Sequence, residues 1–339
     1  MKSLRADLKA FIELGEILKS LTDTTLSTWY PMISNNNAWF TPASVKFALD
    51  GIIELLDENS LEAWEKKYSI PVSSPKKVGI IAAGNIPGVA FHDILCVILS
   101  GHEAYVKLSS SDKIFLPLIF QLIKEEYPEV VQKIHWAEQL KNMDAYIATG
   151  SDNSARYFEY YFKNTPHLIR KNRTSLAVFT GNESAEELYT LGKDVFTYFG
   201  LGCRNVSKVF FPKGFQIPTL LDQWNDYLTI AEHHKYFNNY EYNKAVFLIN
   251  KVPHWDNGAV IIKEDAALFS PIGVVHVEFY DHKERVNEFI QDNIASIQCV
   301  VSNADWIQGA NTVQLGEAQC PSLDDFADGV DTMKFLIEL

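Results

Sequence analysis

The chain has 339 residues, 47% of them hydrophobic and 22% charged, with 30 Lys and Arg against 43 Asp and Glu for a net charge of −13. That length exceeds one average core and points to about two domains at roughly 150 residues each, and the composition excludes the disordered and fibrous classes. The acidic balance repels a phosphate backbone, so no nucleic-acid partner is expected; the one basic cluster, "LIRKNR" at 168–173, is too short to change that.

In chain order, "MKSLRADLKAFIELGEILKSL" carries charges throughout and lacks the apolar core and cleavage site of a secretion signal. It reads as an amphipathic helix of a cytoplasmic protein. "TPASVKFALDGIIELLDE" predicts a second helix, with Thr41 as N-cap and Pro42 in the first turn. The prolines and serines of "SIPVSSPKK" at 69–77 then break the helical pattern. "KVGIIAAG", the turn "NIPG", a helix over about 89–100 and "EAYVKLSS" follow as strand, turn, helix, strand. That order makes a βαβ unit and a parallel sheet. "AYIATGS" at 145–151 repeats the strand-then-glycine design before a helical "DNSARYFEYYFKN". From 174 the pattern renews itself in "TSLAVFTG", a helix through "SAEELYTLGKDVFTYFG", and "SKVFFP". "AVFLIN", "GAVIIKE", "GVVHVEFY" and "SIQCVVS" complete a second α/β set. The longest apolar run, "FHDILCVILSG" at 91–101, is too short to span a bilayer.

Several residues stand where chemistry could occur. Asn85, in "AAGNIPG", leaves the end of a strand, where α/β sheets place ligands, although Asn-Ile-Pro-Gly is also ordinary turn chemistry. Lys107 closes the next strand ahead of hydroxyls that include Ser109, and suits a phosphate or ribose contact or a plain surface position. Gly150 and Ser151 open a helix, where backbone N–H groups can meet an anion and where a serine also serves as N-cap. Of the four cysteines, Cys96 and Cys299 sit in apolar runs and Cys320 beside acidic residues, while Cys203 lies between Gly202 and Arg204. Glycines that admit a substrate and a cation that favours the thiolate make Cys203 the candidate nucleophile; a small residue beside a turn is the alternative. No CxxC or HExxH spacing occurs, so neither a disulfide framework nor a metal site is expected.

Together, "IIAAGNIPG", "AYVKLSSSD", "IATGS", "GLGCRNVSKVFFP", "LFSPIGVVHVEFY" and "IASIQCVVSNAD" resemble, in order and spacing over about residues 76–339, the aldehyde dehydrogenase superfamily. Within it they resemble the acyl-CoA reductases of the bacterial luminescence type. The resemblance implies an α/β fold with a Rossmann-like nucleotide lobe (76–172), an α/β catalytic thiol lobe (173–339) and an N-terminal helical layer (1–75). It implies Cys203 as nucleophile and Asn85 as oxyanion donor, with Lys107, Ser109, Gly150 and Ser151 binding NADPH. The implied reaction takes an acyl-CoA, with a fatty acyl group, to the aldehyde through a cysteine thioester. Hydrolytic relatives carry a water-activating glutamate where this chain has Ile169, and no carboxylate lies between 160 and 182. That departure argues against an aldehyde dehydrogenase running to the acid. The relatives' glutamate before FGP is Ala267 here, and Ser270 replaces the glycine, which leaves a catalytically degenerate nucleotide- or partner-binding relative as an alternative. A homo-oligomer and an acyl-transfer partner enzyme are both compatible with the sequence.

Overall fold

A computed structural model describes residues 5–68 and 74–339. Much of the "SIPVSSPKK" break therefore lies outside the described residues. The chain forms two compact units, one built from Met1–Asn172 with Pro321–Leu339 and the other from Arg173–Cys320.

The first unit opens with helices α1 (Ala6–Lys19), α2 (Asp23–Asn36), α3 (Pro42–Leu55) and α4 (Glu58–Lys67). Thr41 caps α3 by accepting the Ser44 N–H at 3.2 Å, with Pro42 in the first turn. Strand β1 (Lys77–Ile81), helix α5 (Phe91–Leu99), β2 (Glu103–Lys107), α6 (Phe115–Gln121), α7 (Pro128–Val131), β3 (Ile134–Trp136), β4 (Ala145–Thr149), α8 (Asp152–Phe162) and β5 (His167–Arg170) follow. Among the described residues the strands form one parallel sheet in the order β3-β2-β1-β4-β5. Every residue of α5 except His92 is buried, as a helix between a sheet and a further helical layer requires. Phe11 of α1 meets Phe91 and Phe120 edge to face, at 6.5 and 6.3 Å between ring centres.

The C-terminal segment belongs to this first unit and not to the thiol lobe that the sequence suggests. Specific polar ties hold it: Trp64 Nε1 donates to Asp324 at 3.0 Å, Tyr68 Oη to Asp331 at 2.9 Å, and Arg170 to Thr332 Oγ1 at 3.0 Å. Arg170 is also paired with Asp93 of α5 at 2.7 Å, and both side chains are buried.

The second unit contains β6 (Thr174–Val178), α9 (Ala185–Phe196), β7 (Val206–Pro212), α10 (Ile217–Gln223), α11 (His234–Ile249), β8 (Trp255–Asp256), β9 (Ile261–Glu264), β10 (Val274–Tyr280), α12 (Lys283–Asn293), β11 (Ile297–Val301) and β12 (Thr312–Val313). Its sheet has the order β12-β11-β6-β7-β10-β9-β8, with only the β8–β9 pair antiparallel among the described residues. β6 and β11 are buried along their whole length, which accounts for their mainly apolar sequences; the buried polar residues in them are Thr174, Ser175 and Gln298. A reciprocal cap fixes the start of α9: Ser184 Oγ accepts the Glu187 N–H and Glu187 Oε2 accepts the Ser184 N–H. The run "AVFLIN" is not a strand. It forms the last turns of α11, where Phe247 packs with Tyr240, Ile261 and Val274. Among the described residues no helix is long and apolar enough to cross a membrane.

Candidate active site

In the first unit, the parallel register aligns the carboxyl ends of three neighbouring strands. Ile81 of β1 lies opposite Lys107 of β2 and Ala148 of β4. The segments carrying Asn85, Ser109, Gly150 and Ser151 therefore leave the same edge of the sheet as Lys107. Because β1 sits between β2 and β4, this edge includes the point where the winding changes direction, the usual ligand position of such sheets.

Close packing joins two of these segments. A Cβ placed on Gly84 would stand 2.5 Å from Ser109 Oγ and 2.6 Å from Ser109 Cβ, so only glycine lets the β1 turn lie against the β2 turn. Asp112 ties them further by accepting the Gly88 N–H at 2.8 Å. Burial pushes the Asp112 carboxyl up to about 6, against the lowering effect of the bonds from Gly88 and Phe115. Its carboxylate is turned inward, while Lys107 is exposed. Ser151 caps α8, its Oγ accepting the Ser154 N–H at 3.3 Å. The Gly150 N–H donates to Arg170 O at 3.2 Å; it extends the strand ladder, so what Gly150 offers a ligand is its small size and not its N–H.

In the second unit, Cys203 sits on a four-residue turn between α9 and β7. The approach is left-handed: Tyr198, Phe199 and Gly200 have φ of 54°, 60° and 77°. Two bulky residues in this region cost of order 1–3 kcal/mol each, which the surroundings must offset. Phe199 packs against His233 with ring centres 4.4 Å apart and the planes tilted by 36°. His233 Nδ1 in turn accepts the Tyr236 N–H at 3.3 Å and caps α11.

Cys203 is exposed. Cys96 and Cys299 are buried, and burial pushes both thiols up, Cys96 well above its ordinary value. Neither suits a nucleophile. The Arg204 guanidinium reaches Ala318 O at 3.4 Å. That loop is held by Asp194 of α9, which accepts the N–H groups of Gly316 at 2.6 Å and Ala318 at 3.0 Å. Burial raises Asp194 to about 6. Asn205 and Ser175, which bond around the cysteine turn, are residues that sequence reading passes over; an asparagine two positions beyond a candidate nucleophile is the turn signal that points to the first.

The departures from the related pattern have clear structural form. Ile169 lies in β5 opposite Ala148. Ala267 is exposed, its carbonyl bonded to His276 Nδ1 at 3.0 Å. The nearby Asp265 is paired with Lys263 and accepts the Ala267 N–H, and these bonds hold its carboxyl down at about 2. Among the described residues no group of three or more His, Cys, Asp or Glu could hold a metal ion.

A family model for acyl-CoA reductase (LuxC) matches residues 26–219, a span containing Asn85, Lys107, Ser109, Gly150, Ser151 and Cys203. No curated protein sequence matches the chain. Solved structures of aldehyde dehydrogenases share the fold. The Bacillus cereus aldehyde dehydrogenase in complex with NAD+ has a TM-score of 0.64 and 13% identity, over 93% of this chain and 78% of that one. A mutant of aldehyde dehydrogenase C from Pseudomonas syringae, in complex with NAD+ and octanal, has a TM-score of 0.62 and 11% identity over 89% and 78%. Aldehyde dehydrogenase 21 from Physcomitrella patens, in complex with succinate, has a TM-score of 0.63 and 10% identity over 98% and 84%.

Proposed function

The chain belongs to the acyl-CoA reductase (LuxC) family, and we propose that it reduces a fatty acyl-CoA to the aldehyde with NADPH, through a thioester on Cys203. The observation that carries this reading is the Cys203 turn: an exposed thiol, inside the family-matched span, on backbone anchored by buried polar side chains. Apolar surroundings make the two buried cysteines inert by comparison.

The carboxyl edge of the first sheet fits a nicotinamide nucleotide. Gly84 and Gly150 keep the turns low, since a Cβ on Gly150 would come within 3.0 Å of Ser154. Lys107, Ser109 and Ser151 offer a cation and hydroxyls. The inward-turned Asp112 removes the carboxylate that would repel a ribose phosphate, which favours NADPH over NADH. NAD+ in the Bacillus cereus and Pseudomonas syringae relatives supports the nicotinamide class.

In this mechanism the Cys203 thiolate, favoured by the neighbouring Arg204, attacks the acyl-CoA carbonyl. The Cys203 N–H and the Asn85 carboxamide stabilise the oxyanion, and CoA leaves as its thiolate. Lys107, Ser109, Gly150 and Ser151 would hold NADPH, which would supply the hydride for reduction of the Cys203 thioester. The hemithioacetal alkoxide on Cys203 collapses to the aldehyde and the Cys203 thiolate, and the one proton the net reaction takes up ends on the released CoA thiolate. The lack of any carboxylate from 160 to 182 supports acyl transfer to hydride in preference to water.

The test is NADPH oxidation with a panel of acyl-CoAs, with product identification and Cys203→Ala run alongside. We expect aldehyde formed one for one with NADPH consumed, and none from the variant. Turnover that survives the substitution overturns the covalent route, and free acid as the product overturns the reductase reading.

A further inference from the structure

We propose that Asn205 and Ser175 are positioning residues for Cys203, a role that rests on the reading of Cys203 as nucleophile. The turn from Gly202 to Asn205 is closed by the Asn205 N–H donating to Gly202 O at 3.0 Å. The Asn205 side chain closes it a second time, its Oδ1 accepting the Gly202 N–H at 2.8 Å. Its Nδ2 donates to the carbonyls of Asp194, Val195 and Thr197 at 3.0, 3.3 and 2.8 Å. Those carbonyls belong to the C-terminal end of α9, where helix geometry leaves acceptors without intrahelical donors. One carboxamide thus locks the cysteine turn to the end of the preceding helix.

Ser175 holds the other side of the nucleophile. It is fully buried on β6, and its hydroxyl donates to the Cys203 carbonyl at 3.2 Å. Cys299 Sγ lies 3.1 Å from the same Oγ. Burial pushes the Cys299 thiol up, and either atom of this contact can be its donor. Asn205 is 2% exposed, and water does not compete for either set of bonds. Peptides from Leu201–Gly202 to Cys203–Arg204 are held in sequence, which fixes the direction of the Cys203 Cα–Cβ bond beside Arg204. Loosening them misaims the thiol without removing any group that binds CoA.

The experiment compares Ser175→Ala and Asn205→Ala with Asn243→Ala, which removes a buried carboxamide donating to Asn239 O and Ile272 O on α11 and its neighbouring loop. For acyl-CoA reduction, Asn205→Ala is expected to lower kcat on the order of 10- to 100-fold, and Ser175→Ala about threefold to tenfold, with KM for acyl-CoA within about twofold. Iodoacetamide alkylation, followed on the Cys203 peptide against pH, is expected to shift its midpoint away from the wild-type value in both variants. Asn243→Ala lowers the melting temperature and leaves kcat and the midpoint alone.

Wild-type kcat and midpoint in both turn variants, with only a melting shift, would overturn the proposal. If Asn205→Ala does not fold, Ser175→Ala decides, because it removes one hydroxyl and no backbone hydrogen bond. Wild-type enzyme inactive on every acyl-CoA would sink the reductase reading, and the alkylation profiles would still decide the positioning roles.

Discussion

Gly84→Ala probes the packing of the nucleotide edge. The conformation at Gly84 is not left-handed, so the backbone accepts alanine and the cost is steric alone. The new methyl would stand 2.5 Å from Ser109 Oγ, 2.6 Å from Ser109 Cβ and 3.2 Å from Ser111 Cβ. Ordinary carbon contacts lie at about 3.5–4.0 Å, so the β1 and β2 turns must separate by roughly 1 Å at this point. Overpacking of that kind costs about 1–3 kcal/mol, or about 2–4 °C of melting temperature per kcal/mol in a unit of this size. Because the displaced residue is Ser109, NADPH affinity should fall by about tenfold, the equivalent of one lost hydrogen bond of about 1.4 kcal/mol. Thermal melting and cofactor fluorescence titration measure the two effects. Gly84→Ala with Ser109→Gly should recover most of the melting temperature, since the two Ser109 atoms are gone and only the 3.2 Å contact with Ser111 Cβ remains, without recovering affinity. A Gly84→Ala protein that melts and binds NADPH like the wild type refutes the close packing of these two turns.

Asp112→Asn and Asp194→Asn should change how stability depends on pH. Each carboxyl is raised to about 6 by burial, so the folded protein binds these protons more tightly than the unfolded chain. Their stabilising effect is complete below the unfolded value of about 3.9 and is lost as pH rises through about 6, at about 3 kcal/mol per group for a two-unit shift. The asparagine variants should therefore gain melting temperature relative to wild type at pH 7.5 and not at pH 4; equal differences at both would sink the assignment. Breaking the buried Asp93–Arg170 pair, with Arg170→Ala, should cost about 3–5 kcal/mol in denaturant melts. The Asp93→Ala, Arg170→Ala double variant should lose less than the sum of the singles, and strict additivity would mean that the pair does not interact.

The parallel winding of the first sheet was legible because short apolar strands alternate with glycine turns and helices, as "KVGIIAAG" and "AYIATG" do. Alignment of Asn85, Lys107 and Gly150 along one sheet edge follows from that order alone. The return of the C-terminal segment to the first unit was not legible. Its ties, such as Thr332 to Arg170 and Asp324 to Trp64, join residues far apart in sequence with no local signature. "AVFLIN" misleads because five apolar residues in a row fit a buried strand as well as the end of a helix, and periodicity cannot separate them at that length. The turn polarity around Cys203 was visible as composition, whereas the use of Asn205 as a clamp depends on where α9 ends. Local sequence does not specify that geometry.

The proposed reaction stands on Cys203 carrying the acyl group. Mass spectrometry of the protein incubated with a long-chain acyl-CoA, with no NADPH present, tests it most directly. The expected result is a mass increase equal to one acyl group on the Cys203 peptide, discharged as aldehyde when NADPH is added. No adduct with any acyl-CoA, or an adduct on the exposed Cys320 that NADPH discharges in its place, would contradict it.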